Sequence, residues 1–206
     1  MASPSSVAGP AERARLLRRL GLPAPLAAPA LLGHVLVRRH GRRILRARIV
    51  ETEAYLPEGD PGAHVFRGWT PRVAPLFGPP GSVYVYFVYG MHHCLNLAVD
   101  REGRPGCVLV RAAELLDGDG VEEGAQDACR GPGRLCRTLA LSVRDSGLNL
   151  FAPGARLTLR EGDPPRLVGR STRIGLRHGA ERVLRFFDAQ SPAVSGPGRR
   201  RREALV

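Results

Sequence analysis

The segment Arg48-Ile-Val-Glu-Thr-Glu-Ala-Tyr55 places two carboxylates and a phenol at alternate positions. Its β-branched residues favour an extended backbone, and alternation along a strand then puts Glu51, Glu53 and Tyr55 on one face. Two carboxylates at this spacing, about 7 Å apart, repel each other, and a shielded one can act as a general base on water. The alternative is a solvated strand face that carries two glutamates and no chemistry.

The four tyrosines of the chain all lie between positions 55 and 89. Alternation places Tyr84 and Tyr86 on one face of a second strand, where they line a pocket or simply fill a core. Tyr89 breaks this alternation just before Gly90, as expected at the tip of a β-turn. An aromatic side chain at a turn tip can enter a base stack as a nucleotide leaves it.

Histidines and cysteines give a weaker signal. His64 follows in a proline-rich stretch, where it either lies at the surface or closes one side of an aromatic pocket. His92 and His93 are adjacent, so on a strand they point to opposite faces, and the sequence has no C-x-x-C pair. We therefore expect no metal site. Cys94 and Cys107 lie in apolar runs and are predicted to be buried free thiols, although a disulfide stays open.

The charge of the chain is strongly basic. It has 31 basic residues, all of them arginine, against 19 acidic ones, which gives a net charge of +12. Codon preference in a GC-rich genome explains arginine in place of lysine, but not the surplus of positive charge. That surplus indicates a polyanionic partner, because neutralised phosphates release condensed counterions. No apolar run approaches 18 residues and no signal-peptide pattern is present, so we expect a cytoplasmic protein without a membrane partner.

The hydrophobic pattern predicts one α+β domain with a mostly antiparallel sheet. Helices are predicted over 15–20 and 134–141, with a helix-to-strand passage over 29–37. Strands are predicted over 44–55, 82–88, 95–99, 107–112, 155–160 and 183–187. Residues 56–81 hold many prolines and glycines and are predicted to form a long functional loop, and 115–131 a mobile surface loop. The expected organisation is a disordered segment at 1–14, a domain at 15–195 and a basic tail at 196–206.

Several blocks at this spacing resemble the alkyladenine (3-methyladenine) DNA glycosylase family. They include the Glu-Thr-Glu-Ala-Tyr block, Thr70-Pro71-Arg72, the run from Pro80 to Met91, and Arg173-Ile-Gly175. The resemblance runs in order from about Pro29 to Ser195, which is most of the chain. It implies a single domain with a curved, mostly antiparallel β-sheet and flanking helices.

The resemblance also implies a set of catalytic residues. Glu53 would deprotonate the attacking water, which Arg111 and the main-chain carbonyl of Ile174 would help to hold. Hydrolysis of a purine nucleoside passes through an oxocarbenium-like sugar, which a nearby carboxylate stabilises. Because the chain has no lysine, it cannot form a lysine Schiff base with the sugar, and we expect a monofunctional hydrolase that leaves an abasic site.

A base pocket is implied in the same way. Tyr55 would stack on one face of the extruded base, and His64 and Tyr86 would pack on the other. Asn96 would clash with the amino group of normal guanine, and Tyr89 would fill the gap left in the duplex. The expected lesions are 3-methyladenine, 7-methylguanine, hypoxanthine and ethenoadenine.

The expected partner is therefore damaged double-stranded DNA. We expect it to be bound by a bacterial, nucleoid-associated monomer that needs no cofactor. The main alternative is a catalytically silent damaged-DNA-binding protein of the same fold. A hydrolase of RNA or of free nucleosides is a further alternative, which the basic surface and Tyr89 disfavour.

Overall fold

One long strand organises the molecule. A computed structural model describes residues 8–118 and 127–196 of the chain. Its elements are α1 (Pro10–Leu20), α2 (Ala24–Ala30), β1 (Val35–His40), β2 (Arg43–Tyr55), β3 (Val83–Val88), β4 (His92–Val99), β5 (Gly106–Gly118), α3 (Pro132–Thr138), β6 (Leu157–Arg160), β7 (Val168–Ser171) and β8 (Arg185–Asp188). These form the predicted α+β domain with a curled antiparallel sheet.

The strand order is β3-β4-β5-β2-β1-β6, with β8 paired to both β2 and β7. Along one edge β2 pairs with β1 and then, over Glu51 to Glu53, with β8. Its other edge pairs with β5, and the register shifts around Glu51. Such bulges bend a strand and re-aim its side chains. As a result the carboxyl-terminal half of β2, which carries both glutamates, is held from both sides.

The main core lies on one face of this sheet. Strand side chains such as Ile49, Val83 and Leu97 pack there against Leu16 of α1 and Leu135 of α3. A smaller cluster on the other face contains Tyr84, with Tyr55 and Tyr86 packed against it. Alternation along β3 therefore separates valines from tyrosines, as predicted. The tyrosine cluster is the part of the fold that surrounds the candidate site.

The structure corrects three predictions about local structure. Helix α1 begins at Pro10, so residues 10–14 are helical and not disordered. Proline suits the first position of a helix because it has no N–H that would need a hydrogen-bond partner. Strand β5 continues to Gly118, so residues 115–118 are not loop. Strand β7 was not predicted, and residues 56–81 contain two short 3₁₀ turns, His64–Arg67 and Ala74–Phe77.

Other expectations fall outside the described residues. These are the predicted disorder at 1–7, the loop at 119–126 and the basic tail beyond Gly196. Within the described part of the chain, no helix is long and apolar enough to cross a membrane. Cys94 and Cys107 are buried free thiols, as predicted, and so are Cys129 and Cys136.

Candidate active site

Glu53 is a fully buried carboxylate with three hydrogen-bond donors around it. Its Oε1 accepts the main-chain N–H of Ile174 at 2.8 Å and lies 3.2 Å from Nη1 of Arg111. Its Oε2 accepts the hydroxyl of Tyr55 at 2.9 Å. These three donors fix the orientation of the carboxylate. The structure therefore brings together the three residues predicted to act in hydrolysis and adds Tyr55 to them.

Glu51 lies on the far side of Arg111. Its Oε1 accepts from Nε of Arg111 at 3.1 Å and from Nε of Arg185 at 2.6 Å. Its Oε2 accepts the N–H of Ser195 at 2.6 Å. Two carboxylates and two guanidiniums thus form a buried network in which Arg111 bridges the glutamates. The repulsion expected between the two carboxylates is offset by this cation.

A cleft beside Tyr55 is partly open to solvent, and four of its nine lining residues carry aromatic rings. Its lining residues are Tyr55, Gly62, His64, Leu76, Tyr84, Tyr86, Asn96, Cys107 and Leu176. The imidazole of His64 meets the ring of Tyr86 edge-on at a centroid distance of 4.4 Å, and its Nδ1 lies 3.0 Å from the hydroxyl of Tyr84. The four residues predicted to surround a base therefore line one cleft.

Burial sets the protonation states of this cleft. It lowers the pKa of His64, and the positive charge of Arg72 lowers it further. Burial also raises the pKa of Tyr55 and Tyr86, and the negative charge of Glu53 adds to the effect at Tyr55. At neutral pH the lining side chains are therefore uncharged. Tyr55 stays protonated, and its hydroxyl donates a hydrogen bond to Glu53.

Asn96 is 3% exposed and pairs with Tyr84 across strands β3 and β4. Its Nδ2 lies 3.3 Å from the carbonyl oxygen of Tyr84 and 3.4 Å from that of Cys94. These contacts hold the amide in one orientation at the wall of the cleft. A ligand group that meets it cannot push it aside without breaking both hydrogen bonds.

Tyr89 lies at the tip of the turn between β3 and β4, as predicted. It is 76% exposed, and its φ of 54° is followed by 69° at Gly90. A two-residue hairpin turn of type I′ needs two such residues in succession, and tyrosine is rarely the first of them. Phe87 and Met91 on either side are also exposed, at 48% and 69%. The turn thus projects three large apolar side chains into solvent.

The sequence matches known proteins over most of its length. A model of the family described as methylpurine-DNA glycosylase (MPG) matches residues 19–192. The chain belongs to the methylpurine-DNA glycosylase family. It is therefore a DNA glycosylase, a hydrolase of N-glycosyl bonds that acts in DNA repair.

Individual relatives agree with the family model. A protein of Synechococcus elongatus is 45% identical over 183 residues, which cover 88% of this chain and 90% of the relative. One of Chlorobium phaeovibrioides is 42% identical, with 84% and 92% covered, and one of Koribacter versatilis 44%, with 81% and 85% covered. Each bears the name "Putative 3-methyladenine DNA glycosylase".

Three residues at the site were not assigned a role from the sequence. Arg173 lies with its guanidinium carbon 4.5 Å from the centre of the Tyr55 ring and forms an ion pair with Asp60. Arg185 holds Glu51 from strand β8. Arg173 belongs to the Arg173-Ile-Gly175 block that carries the family resemblance, and its position next to Ile174 could have indicated a role at the site. Asp60 and Arg185 carry no pattern of their own, because their partners lie more than 110 positions away.

Ile174 also differs in detail from the expectation. Its N–H donates a hydrogen bond to Glu53, a contact that the prediction did not include. In the described part of the chain, no cluster of three or more His, Cys, Asp or Glu side chains has an arrangement that would hold a metal ion.

Proposed function

We propose that this glycosylase flips an alkylated or deaminated purine out of duplex DNA and hydrolyses its N-glycosidic bond, with Glu53 activating the water. The observation that carries the proposal is the position of Tyr55. Its ring lines the aromatic cleft, while its hydroxyl donates to Glu53. A base stacked on that ring has its sugar next to the carboxylate, where hydrolysis takes place.

Glu53 has the capacity to act as the base. Each oxygen of a carboxylate has two lone-pair positions, and Oε2 accepts only the Tyr55 hydroxyl among the hydrogen bonds of the described residues. The remaining position accepts a proton from water as the oxygen of that water attacks C1′. The electrons of the C1′–N bond leave with the base, and the carboxylate stabilises the positive charge on the sugar. Arg111 and the carbonyl of Ile174 help to hold the water.

The cleft supports selection of damaged purines. Tyr55 takes one face of the base, and His64 and Tyr86 take the other. A cationic alkylated base gains cation–π attraction of roughly 0.5–2 kcal/mol on a tyrosine ring. The fixed amide of Asn96 disfavours the exocyclic amino group of normal guanine. Damaged pairs are also easier to open, which adds a second filter.

Different lesions make different demands on the reaction. 3-Methyladenine and 7-methylguanine already carry positive charge and leave as neutral bases. Hypoxanthine and ethenoadenine need a proton as they depart. The chain has no lysine to form a Schiff base with the sugar, so the product is an abasic site. One enzyme molecule meeting one lesion requires no symmetry, and we propose a monomer acting on the DNA of a bacterial nucleoid.

Single-turnover release of the base tests the proposal. Duplexes with one hypoxanthine, ethenoadenine or 7-methylguanine are incubated with excess wild type, Glu53→Gln or Glu114→Gln. Glu114 is a matched control, because it is a half-buried glutamate on β5 that pairs with Arg48 outside the site. We expect release by wild type and Glu114→Gln, and at least a hundredfold slower release by Glu53→Gln.

Binding of the same duplexes, measured by anisotropy, separates the outcomes. Retained binding with lost release by Glu53→Gln identifies the catalytic base. Equal release by Glu53→Gln and wild type would leave a glycosylase with a different base. Binding without release from any lesion by wild type would favour the silent damaged-DNA-binding protein.

A further inference from the structure

Tyr55 has a cation behind it. The guanidinium carbon of Arg173 lies 4.5 Å from the ring centre, and this side chain is fully buried. Arg173 does not line the aromatic cleft, whereas Tyr55 does. The ring therefore separates the guanidinium from whatever occupies the cleft.

Asp60 neutralises this cation. Its Oδ2 lies 2.6 Å from Nη1 and its Oδ1 2.7 Å from Nη2, so the pair is bidentate. The same nitrogens donate to the carbonyl oxygens of Ala54 and Gly179. Nε is buried and has no hydrogen-bond partner in the described part of the chain. Asp60 is thus the only carboxylate that contacts Arg173 there.

The backbone holds the carboxylate in place. Asp60 accepts the N–H of Leu56 at 3.0 Å and that of Gly62 at 3.1 Å. Although burial would raise the pKa of Asp60, the hydrogen bonds from Arg173 and from these amides lower it below its ordinary value. Asp60 is therefore ionised at neutral pH, and the pair behind the ring carries no net charge.

We infer that Asp60 determines specificity, by cancelling the charge of Arg173 so that the open face of Tyr55 accepts a cationic purine. The inference rests on the proposed function, in which Tyr55 stacks on the extruded base. A positively charged base on that face would lie roughly 8 Å from the guanidinium. At this distance and an intermediate dielectric, two unit charges repel by an energy equal to roughly a tenfold or greater change in affinity. A neutral base does not experience this repulsion.

The effect belongs to binding more than to bond breaking. As the C1′–N bond of an alkylated purine breaks, its electrons neutralise the base and the positive charge moves to the sugar. A cation behind Tyr55 therefore destabilises the bound substrate more than the transition state. The enzyme concentration that gives half-maximal single-turnover release should change, while the maximal rate should change less.

The test uses Asp60→Asn and Arg173→Gln, which leave opposite charges behind the ring, and the double variant, which leaves none. Each full-length protein is titrated against duplexes with one 7-methylguanine or one ethenoadenine. We expect Asp60→Asn to raise the half-saturating concentration for 7-methylguanine about tenfold relative to ethenoadenine. The ratio of the half-saturating concentration for 7-methylguanine to that for ethenoadenine should fall severalfold in Arg173→Gln. In the double variant this ratio should return toward the wild-type value.

The ratio is insensitive to a partly unfolded preparation, because both duplexes are measured with the same protein. If either single variant fails to fold, the double variant and the other single variant still test the direction in which the ratio changes. Ratios that stay at the wild-type value in all folded variants would overturn the inference and leave the proposed function intact. Release confined to neutral lesions would also overturn it. A wild type that releases nothing would overturn the proposed function and this inference with it.

Discussion

Arg111 is held by two carboxylates, and only Glu53 also contacts Tyr55. Glu51 instead joins Arg111 to Arg185 and to the main chain at Ser195. A buried carboxylate that lost these partners would carry a large desolvation penalty, so the network keeps a single geometry. At the scale of single residues, Glu51 is a positioning residue: it holds the guanidinium that orients the proposed base.

Replacing Glu51 by Gln tests this positioning role. The amide keeps the shape but loses the charge that orients Arg111, so we expect maximal single-turnover release to fall about 10- to 100-fold. Loss of charge-assisted hydrogen bonds should lower the unfolding free energy by about 2 kcal/mol. DNA affinity should change little. Base release and urea unfolding measure these effects, with Glu114→Gln as the control. Wild-type release by a destabilised Glu51→Gln protein would make Glu51 purely structural.

At the β3–β4 turn we expect local stability and activity to conflict. A non-glycine residue at φ 54° is strained by about 1–2 kcal/mol, and such strain persists where a side chain is needed. The exposed ring of Tyr89 packs little against the rest of the fold, and the proposed contact with DNA would account for its conformation. We therefore expect the turn to favour glycine for folding and an aromatic residue for base flipping.

Tyr89→Gly should move stability and activity in opposite directions. We expect the unfolding free energy to stay equal or rise by up to about 1 kcal/mol. Release of the base should fall at least tenfold, because nothing fills the gap in the duplex. Tyr89→Phe, which keeps the ring, should retain most activity. Thermal unfolding and single-turnover release check both expectations. A glycine variant as active as wild type would remove Tyr89 from the flipping step.

Elements with a strong local pattern could be predicted from the sequence. Strand β3 alternates valine and tyrosine, and β2 alternates carboxylates with small residues in its carboxyl-terminal half, so the sequence predicts both within a residue or two. Strand β7, Val168–Ser171, contains a glycine and an arginine and forms because β8 pairs with it. Likewise Asp60 lies in an irregular loop, and only the folded chain brings it to Arg173. Residues fixed by long-range partners carry no periodic signal.

The buried ion pairs of the protein are balanced in charge, whereas the rest of the chain carries a surplus of positive charge. Arg38, Arg173 and Arg185 are each buried against one carboxylate, that of Asp145, Asp60 or Glu51. These pairs contribute no net charge, so the surplus of +12 lies elsewhere in the chain. A surface of this kind attracts a polyanion and makes its binding depend on salt.

The fold also buries a histidine, His34, beside the guanidinium of Arg19, so that acid would place two positive charges together. His34 is 1% exposed and accepts a hydrogen bond at Nε2 from the guanidinium of Arg19, which joins α1 to the start of β1. Burial, and then the charge of Arg19, lowers the pKa of His34 to about 4, although Glu161 and Glu12 partly oppose the shift. In the unfolded chain the pKa of a histidine is about 6.5. Between these values only the unfolded state binds the proton, so acid favours unfolding.

The unfolding free energy should therefore fall as pH falls from about 6.5 towards 4. At pH 5 the titration of His34 lowers the unfolding free energy by about 2 kcal/mol. This loss is absent above pH 7.5, where the residue is neutral in both the folded and the unfolded state. His34→Gln keeps an acceptor for Arg19 but does not titrate, so its stability should be flatter with pH over this range. Urea unfolding of both proteins at pH 5, 6 and 7.5 gives the comparison, and the difference between them removes the contributions of other histidines and carboxylates. Parallel curves would mean that His34 takes up its proton in the folded protein as readily as in the unfolded chain.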